Sequence, residues 1–255
     1  MEIDNKQPLQ DEKSDEKSDE TPRVLWYLSN TFDCNYLPNR KARSKLAVVD
    51  PRNASHTYDS LITQGFRRSG VHIYQPACDT CKACVPVRVD VAEFKMNRSQ
   101  KRTWRDVHDI AGMQAKVTPL RFDAEHAALY EAYLQTQHES TDDDIAVQYK
   151  DFLLRSPVNS HLVEFTLDGV LQAVSVIDQV SDGLSAVYTF YQPHSPYALG
   201  KYAVLWQIHT AKELGLSHVY LGYWIAASRK MAYKADFQPL QILKDGAWEE
   251  FKASV

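Results

Sequence analysis

HLVEFTLDGVLQAVSVIDQVSDGLSAVYTFY, running from His161 to Tyr191, decides the architecture. Three apolar, β-branched runs, His161–Leu167, Val170–Val180 and Leu184–Tyr191, are separated by Asp168-Gly169 and Ser181-Asp182-Gly183. Both connectors are hairpin chemistry, because glycine tolerates the positive φ of a tight turn. The stretch therefore predicts an antiparallel meander. Downstream, the spacing predicts a helix over Leu199–Leu214 stopped by Gly215, a strand at Val219–Tyr223, a helix at Ser228–Lys234 and a closing strand at Leu240–Leu243. Upstream, Asp123 is a natural N-cap for a helix through Ala127–Leu134, and Thr141 or Asp142 for another through Ile145–Leu154.

Helices, meander, helix, strand, helix, strand is an α+β order with a mixed sheet. It resembles the N-acetyltransferase (GNAT) core. Such cores cradle the CoA pyrophosphate on a glycine-rich loop ahead of the long helix. Here that stretch is PHSPYALGKYA, Pro193 to Ala203, with Gly200 alone. Backbone amides cannot be packed around a pyrophosphate there, so CoA is not expected as acyl donor.

Order is expected to begin near Val24–Tyr27. Between Thr31 and Arg105 short strands (Val71–Tyr74, Val85–Val91) alternate with turns and a helix at Tyr58–Gln64 ended by Gly65, and Ser99–Ile110 opens another helix. The expected division is an acidic disordered tail over 1–22, a smaller basic Cys-containing domain over 23–110 and an acyltransferase-like domain over 111–255.

The chain has 255 residues, 44% of them hydrophobic, enough for a substantial core. No apolar run is long enough for a membrane-spanning helix, and the polar, acidic start has no secretory pattern. A soluble cytoplasmic protein is expected, with its four cysteines reduced or metal-bound rather than in disulfides. The net charge of −4 conceals a strong asymmetry: residues 34–105 carry 14 basic and 5 acidic side chains, residues 106–255 carry 11 and 19. A cationic block in an acidic chain points to a polyanionic partner.

Cys78, Cys81 and Cys84 form C-x2-C-x2-C, with Cys34 far upstream. Such thiolates could converge on zinc or hold an iron–sulfur cluster, or could simply be small buried hydrophobes. Arg67 and Arg68, with Arg98, Lys101 and Arg102 downstream, are candidate phosphate contacts, and Phe66, Tyr74 and Trp104 candidate stacking surfaces, against the alternative of a solvated basic face. Arg229, Lys230 and Lys234 cluster on a helix, the last two at i, i+4, and could receive a carboxylate or merely cover neighbouring apolar surface. Asp178, Tyr188, Tyr191 and Tyr223 fall at or near strand ends, where sites often form but buried tyrosines are also ordinary. His138 is a weaker candidate, and Asp142–Asp144 most simply caps a helix.

Five separated motifs carry a resemblance over about Cys34–Trp248: CNYLPNRKAR, Y(x6)GFRRSG, IYQPACDTCKACVPVRVDVAEFKMNRSQKR, VYTFYQPHSPYALGKYAVLWQI and YLGYWIAASRKMAYKADFQPLQIL. Together they resemble the bacterial aspartate/glutamate leucyltransferases, prokaryotic relatives of the eukaryotic arginyl-tRNA–protein transferases. One departure is the segment Gln137-His138-Glu139-Ser140, where the family often has Arg-His and a nearby glycine. The resemblance implies transfer of leucine from leucyl-tRNA to the α-amine of proteins beginning with Asp or Glu, marking them for N-degron degradation. Leucyl-tRNA is already an activated ester, so no cofactor is required for transfer itself, and the metal expectation for Cys34, Cys78, Cys81 and Cys84 follows eukaryotic relatives. On this reading the basic block holds the tRNA acceptor arm, led by Arg67 and Arg68. Lys230, with Arg229 or Lys234, pairs with the acceptor carboxylate. Asp178 takes a proton from the amine, and Tyr191 or Tyr223 donates to the oxyanion or leaving oxygen. The alternatives are a CoA-dependent N-acetyltransferase with a metal-binding module and a non-enzymatic RNA-binding protein.

Overall fold

The computed structural model describes residues 24–137 and 145–252. The expected tail at 1–22, His138 and the proposed caps at 141–144 lie outside them.

The basic stretch builds a small layer of its own. Strands β1 (Leu25–Leu28), β4 (Ser44–Val48), β5 (Arg67–Ser69) and β6 (His72–Pro76) form an antiparallel sheet in the order β1-β4-β6-β5, while β2 (Phe32–Asp33) and β3 (Lys41–Ala42) form a separate pair. Helix α1 (Ala54–Thr63) buries Tyr58, Leu61 and Ile62 against Ile73 of β6 and against Val180 and Tyr220 of the larger sheet. Its expected stop is present, with Gly65 at φ +87°, a conformation that only glycine adopts cheaply.

The larger sheet has eight strands: β7 (Val85–Asp90), β8 (Gln114–Pro119), β9 (Ser160–Leu167), β10 (Val170–Val180), β11 (Gly183–Tyr191), β12 (His218–Trp224), β13 (Leu240–Lys244) and β14 (Ala247–Glu250). Their spatial order is β14-β13-β7-β12-β11-β10-β9-β8, and only β11 and β12 run parallel. The architecture is a mixed α/β fold around a mixed sheet, with the meander of β9, β10 and β11 at the expected positions. Its first turn has Asp168 and Gly169 at φ +50° and +78°, the pair of positive values a two-residue hairpin needs.

The division expected at 110/111 does not follow the sheets. β7, from the basic stretch, lies between β12 and β13 in the middle of the large sheet. Its Val87 and Val89 are completely buried, so that stretch contributes to the main core.

Period-2 alternation divides the large sheet's two faces between two helical layers. Val163, Phe165, Ala173 and Ile177 face α5 (Leu199–Glu213), which buries Leu199, Tyr202, Leu205 and Ile208 among them. Leu162, Val174, Val176 and Phe190 face the other way, onto α3 (Ala124–Gln137) and the segment after it, through Leu129, Tyr130, Leu134, Tyr149 and Leu153. With both faces covered, β10 carries, between Gln172, Ser175 and Asp178, apolar residues toward both sides, Ala173 and Ile177 on one and Val174 and Val176 on the other. Each such fully buried side chain contributes about 1.5–3 kcal/mol. The edge strands β8 and β14 are mostly exposed; with little to bury they carry no readable pattern, and the sequence did not announce them.

Helix α2 (Arg98–Trp104) continues as a wider π-helical turn over Arg105–Ile110 and packs against α5. α4 (Ile145–Tyr149) continues likewise over Lys150–Leu154. α6 (Arg229–Ala232) passes into a 3-10 turn at Tyr233–Asp236. Among the described residues no helix is long and apolar enough to cross a membrane.

Candidate functional site

β11 and β12 pair only over Gly183–Ser185 and His218–Tyr220, then part. Gly183 is required at the start of this pairing, because a Cβ there would run into the His218 carbonyl. Where the strands part, Arg67 enters from β5. Its guanidinium donates to the Ala186 carbonyl at 2.5 Å and the Tyr220 carbonyl at 3.2 Å, replacing the lost ladder bonds. β12 is bulged at this point, with Gly222 at φ +83°. A Cβ on Gly222 would meet Arg67 Nε at 3.5 Å and Lys234 Nζ at 3.6 Å, ordinary contacts, so it is the left-handed φ rather than crowding that calls for glycine beside the two cationic heads.

Lys234 is the second cation of this buried site. Its Nζ donates to the Tyr223 carbonyl at 2.8 Å and lies 3.8 Å from Met231 Sδ. Burial, and secondarily the Arg67 charge, lower its pKa to about 7. Lys234 was expected to share an exposed face with Lys230; instead the helix ends at Ala232, and the tighter 3-10 turn swings it inward. Arg229 and Lys230 remain exposed. The structure thus separates the three residues expected to act together on a carboxylate.

Arg68 and Asp178 are likewise reassigned. Their side chains are fully buried and paired, with Arg68 Nη2 and Nε 2.7 and 2.9 Å from Asp178 Oδ1 and Nε 3.1 Å from Oδ2. Ser160 Oγ donates to the same carboxylate at 2.5 Å. An Arg68 enclosed in this way does not meet RNA phosphate, and an Asp178 ion-paired to Arg68 and accepting from its Nε and from Ser160 Oγ is not placed to take a proton from an amine. Arg67, 7% exposed, is also no surface contact. This pair bolts β5 onto β10, joining the two layers.

Tyr223 is buried, and its hydroxyl donates to the Gly65 carbonyl at 2.9 Å, so that proton is already committed; burial holds its pKa well above the usual tyrosine value. Tyr191 keeps the more open position. It is half-buried at the end of β11, 4.9 Å from the Tyr133 ring centroid. Gly200 serves this ring: a Cβ there would lie 3.1 Å from Tyr191 Cε1.

A cleft of about 610 Å³ opens beside Tyr223, between the small sheet, the β2–β3 pair and the cysteine loop. Cys34, Cys78, Cys81 and Cys84 all line it, half-buried and free. Burial, and then the neighbouring thiols Cys34, Cys78 and Cys81, push the Cys84 thiol up to about 11. Yet among the described residues no three His, Cys, Asp or Glu side chains are arranged to hold one metal ion. The thiols share one cleft.

Arg98, Lys101 and Arg102 project from α2 into solvent as expected. Asn97 and Gln100 close a capping box at the helix start, and Gln100 Nε2 donates to the Asp236 carbonyl at 3.0 Å, tying α2 to the turn that carries Lys234. Lys201 of α5 donates to Ser99 Oγ at 3.0 Å. Trp104 stacks on His108 with ring centroids 4.3 Å apart. Sequence reasoning missed the bridging role of Arg67 and the inward turn of Lys234. The only advance signal was Gly222, a glycine inside a strand, which marks a bulge or close approach.

Fold and site define a mixed α/β protein with buried cations between parting strands and an open cleft beside them. The chain matches the family models "Arginine-tRNA-protein transferase, N terminus" over residues 32–102 and "Arginine-tRNA-protein transferase, C terminus" over residues 125–244. It is 51% identical over 229 residues to the aspartate/glutamate leucyltransferase of Chromobacterium violaceum, covering 89% of this chain and 93% of that protein. To the protein of the same name from Thiobacillus denitrificans it is 50% identical, covering 91% and 96%. This chain belongs to the arginine-tRNA-protein transferase family, on its aspartate/glutamate leucyltransferase branch. Among solved structures, L-PGS from Bacillus licheniformis is similar at a TM-score of 0.43 and 12% identity, covering 80% of this chain and 71% of that one.

Proposed function

We propose that this protein transfers leucine from leucyl-tRNA to the α-amine of proteins beginning with Asp or Glu, in the cytoplasm, as a step of N-degron degradation. The observation that carries the reading is the near full-length match, at 51% identity, to a relative bearing that activity as its name. The core is read as N-acetyltransferase-like, the parting of β11 and β12 opening the sheet where the acyl group would sit.

The donor is an ester, so its activation is already in hand and neither ATP nor CoA is drawn in; Gly200, its approach taken by Tyr191, supplies no pyrophosphate cradle. The nucleophile is an α-amine with an ordinary pKa of about 7.7–8.0. The protein must orient its neutral form against the ester carbonyl, and alignment of this kind is worth up to about 7–11 kcal/mol. Tyr191 is the proposed hydrogen-bond donor to the oxyanion or to the departing ribose oxygen. Arg98, Lys101 and Arg102 are the proposed phosphate contacts, with Trp104 beside them.

The direct test is transfer of labelled leucine from leucyl-tRNA to peptides differing only at their first residue. Asp- and Glu-started peptides are expected to be modified and Ala-started ones not; equal labelling of all three would refute the reading. A CoA-dependent acetyltransferase would instead modify amines from acetyl-CoA, and a non-enzymatic RNA-binding protein would label nothing. For α2, replacing Arg98, Lys101 and Arg102 together by alanine should raise the KM for leucyl-tRNA. It should also flatten the log–log salt dependence of tRNA binding by about one unit per lost phosphate contact. An unchanged slope moves the tRNA elsewhere.

A further inference from the structure

The cleft beside Tyr223 is cationic without counter-charge in its wall. Arg40, Lys41, Arg43 and Lys82 line it, and no Asp or Glu does. Lys41 is paired outside the wall to Asp33 at 2.7 Å. Arg43 is held at one end by Asp79, 3.3 Å from Nη1, while its backbone carbonyl accepts from the Ala77 amide at 2.8 Å and lies 3.8 Å from Cys78 Sγ. Its Nε, however, is buried with no hydrogen-bond partner among the described residues. The side chain as a whole keeps 31% of its surface exposed and lines the cleft, so the guanidinium has donors left to offer there, and a carboxylate is the partner that suits them best.

We propose that this cleft receives the first residue of the acceptor polypeptide and that Arg43, flanked by Arg40 and Lys82, binds its side-chain carboxylate. The inference rests on the transfer reading above and assigns its acceptor subsite. Three observations favour a peptide end over RNA. The cleft is concave, and its 610 Å³ falls in the range that encloses small ligands. Its wall is largely apolar and sulfur-bearing, with Phe32, Tyr36, Leu46 and Ile225 among its members, which suits a chain stem better than a phosphate backbone. Arg40 and Lys82 are exposed, long and adaptable, so the wall can meet carboxylates on stems of two lengths, Asp and Glu. Tyr223 links this cleft to the parting of β11 and β12: it is part of the cleft wall, and its carbonyl holds Lys234.

The test uses the full chain, leucyl-tRNA and peptides started by Asp or by Asn. In Arg43→Ala and in the Arg40→Ala/Lys82→Ala double variant, the KM for the Asp peptide should rise at least tenfold, with the KM for leucyl-tRNA unchanged. Arg43→Glu should reverse the preference toward a Lys-started peptide. Anisotropy of a C-terminally labelled Asp peptide, measured without tRNA, should report the same losses, so the subsite is decided even without turnover. Far-UV circular dichroism identifies a misfolded Arg43 variant; the double variant alters only exposed side chains and then carries the test alone. A rise in the leucyl-tRNA KM with the peptide KM unchanged would make the cleft a nucleic-acid contact and overturn the proposal. So would Lys230→Glu abolishing Asp-peptide binding while the cleft variants leave it intact. A wild-type protein that binds Asp peptides through Arg43 but transfers no leucine would instead overturn the transfer reading and leave the subsite standing.

Discussion

Arg68→Ala lowers the unfolding free energy by about 3–5 kcal/mol, the loss expected when one partner of a buried ion pair is removed. For a chain of this size that is a fall in Tm of roughly 6–20 °C. The cause is not a lost attraction in water but a stranded carboxylate. Both side chains are fully enclosed, and Asp178 would keep only the Ser160 hydroxyl as donor. Two further acceptors of the Arg68 guanidinium, the Gly70 and Arg155 carbonyls at 3.3 Å, would also lose their donor. Asp178→Ala strands the guanidinium in the same way. The pair Arg68→Met/Asp178→Leu, which removes both charges together, is expected to recover much of the loss, since apolar replacement of a buried pair is often neutral. Thermal unfolding of the three variants decides the matter. A single variant with wild-type Tm would mean that the two layers are not joined through this pair.

The second large effect concerns pH. Lys234 has a pKa of about 7 in the folded protein, whereas in the unfolded chain it keeps the ordinary lysine value of about 10.4. Between these values the unfolded chain binds a proton that the folded one does not, so raising the pH favours the folded state by up to about 1.4 kcal/mol per unit. Below pH 7 the lysine is charged in both states and this slope vanishes. Cys84 and the buried tyrosines, whose folded pKa values are raised, act in the opposite sense once the unfolded thiol ionises near 8.5. The clean window is therefore pH 7 to 8.5. Across it, wild-type stability should gain on that of Lys234→Met, followed as the difference in Tm at several pH values. A difference that does not change with pH would place the lysine's charge in water.

The meander was legible because its information is local. Asp168-Gly169 and Gly183 fix turns through their own backbone preferences, and β10 is rich in Val, Ile and Leu on both faces because helices cover both sides of it. β8 and β14 were not legible, being edge strands with little to bury. The candidate site was half readable. Arg98, Lys101 and Arg102 lie in solvent where a basic run should, and the four cysteines do share one cleft. Arg67, Arg68, Asp178 and Lys234 carry charge, and charge in a sequence reads as surface; only the packing of the small sheet onto the large one encloses these four.

The amino-acid sequence by itself determined the meander and the helices and strands that follow it, the family and the cationic character of the front half, since each resides in neighbouring residues or in motifs of fixed spacing. Which cations face water and which lock strands together was decided by tertiary structure alone. A guanidinium 119 residues from the carbonyl it binds has no local signature, and its role exists only once two sheets have come together around it.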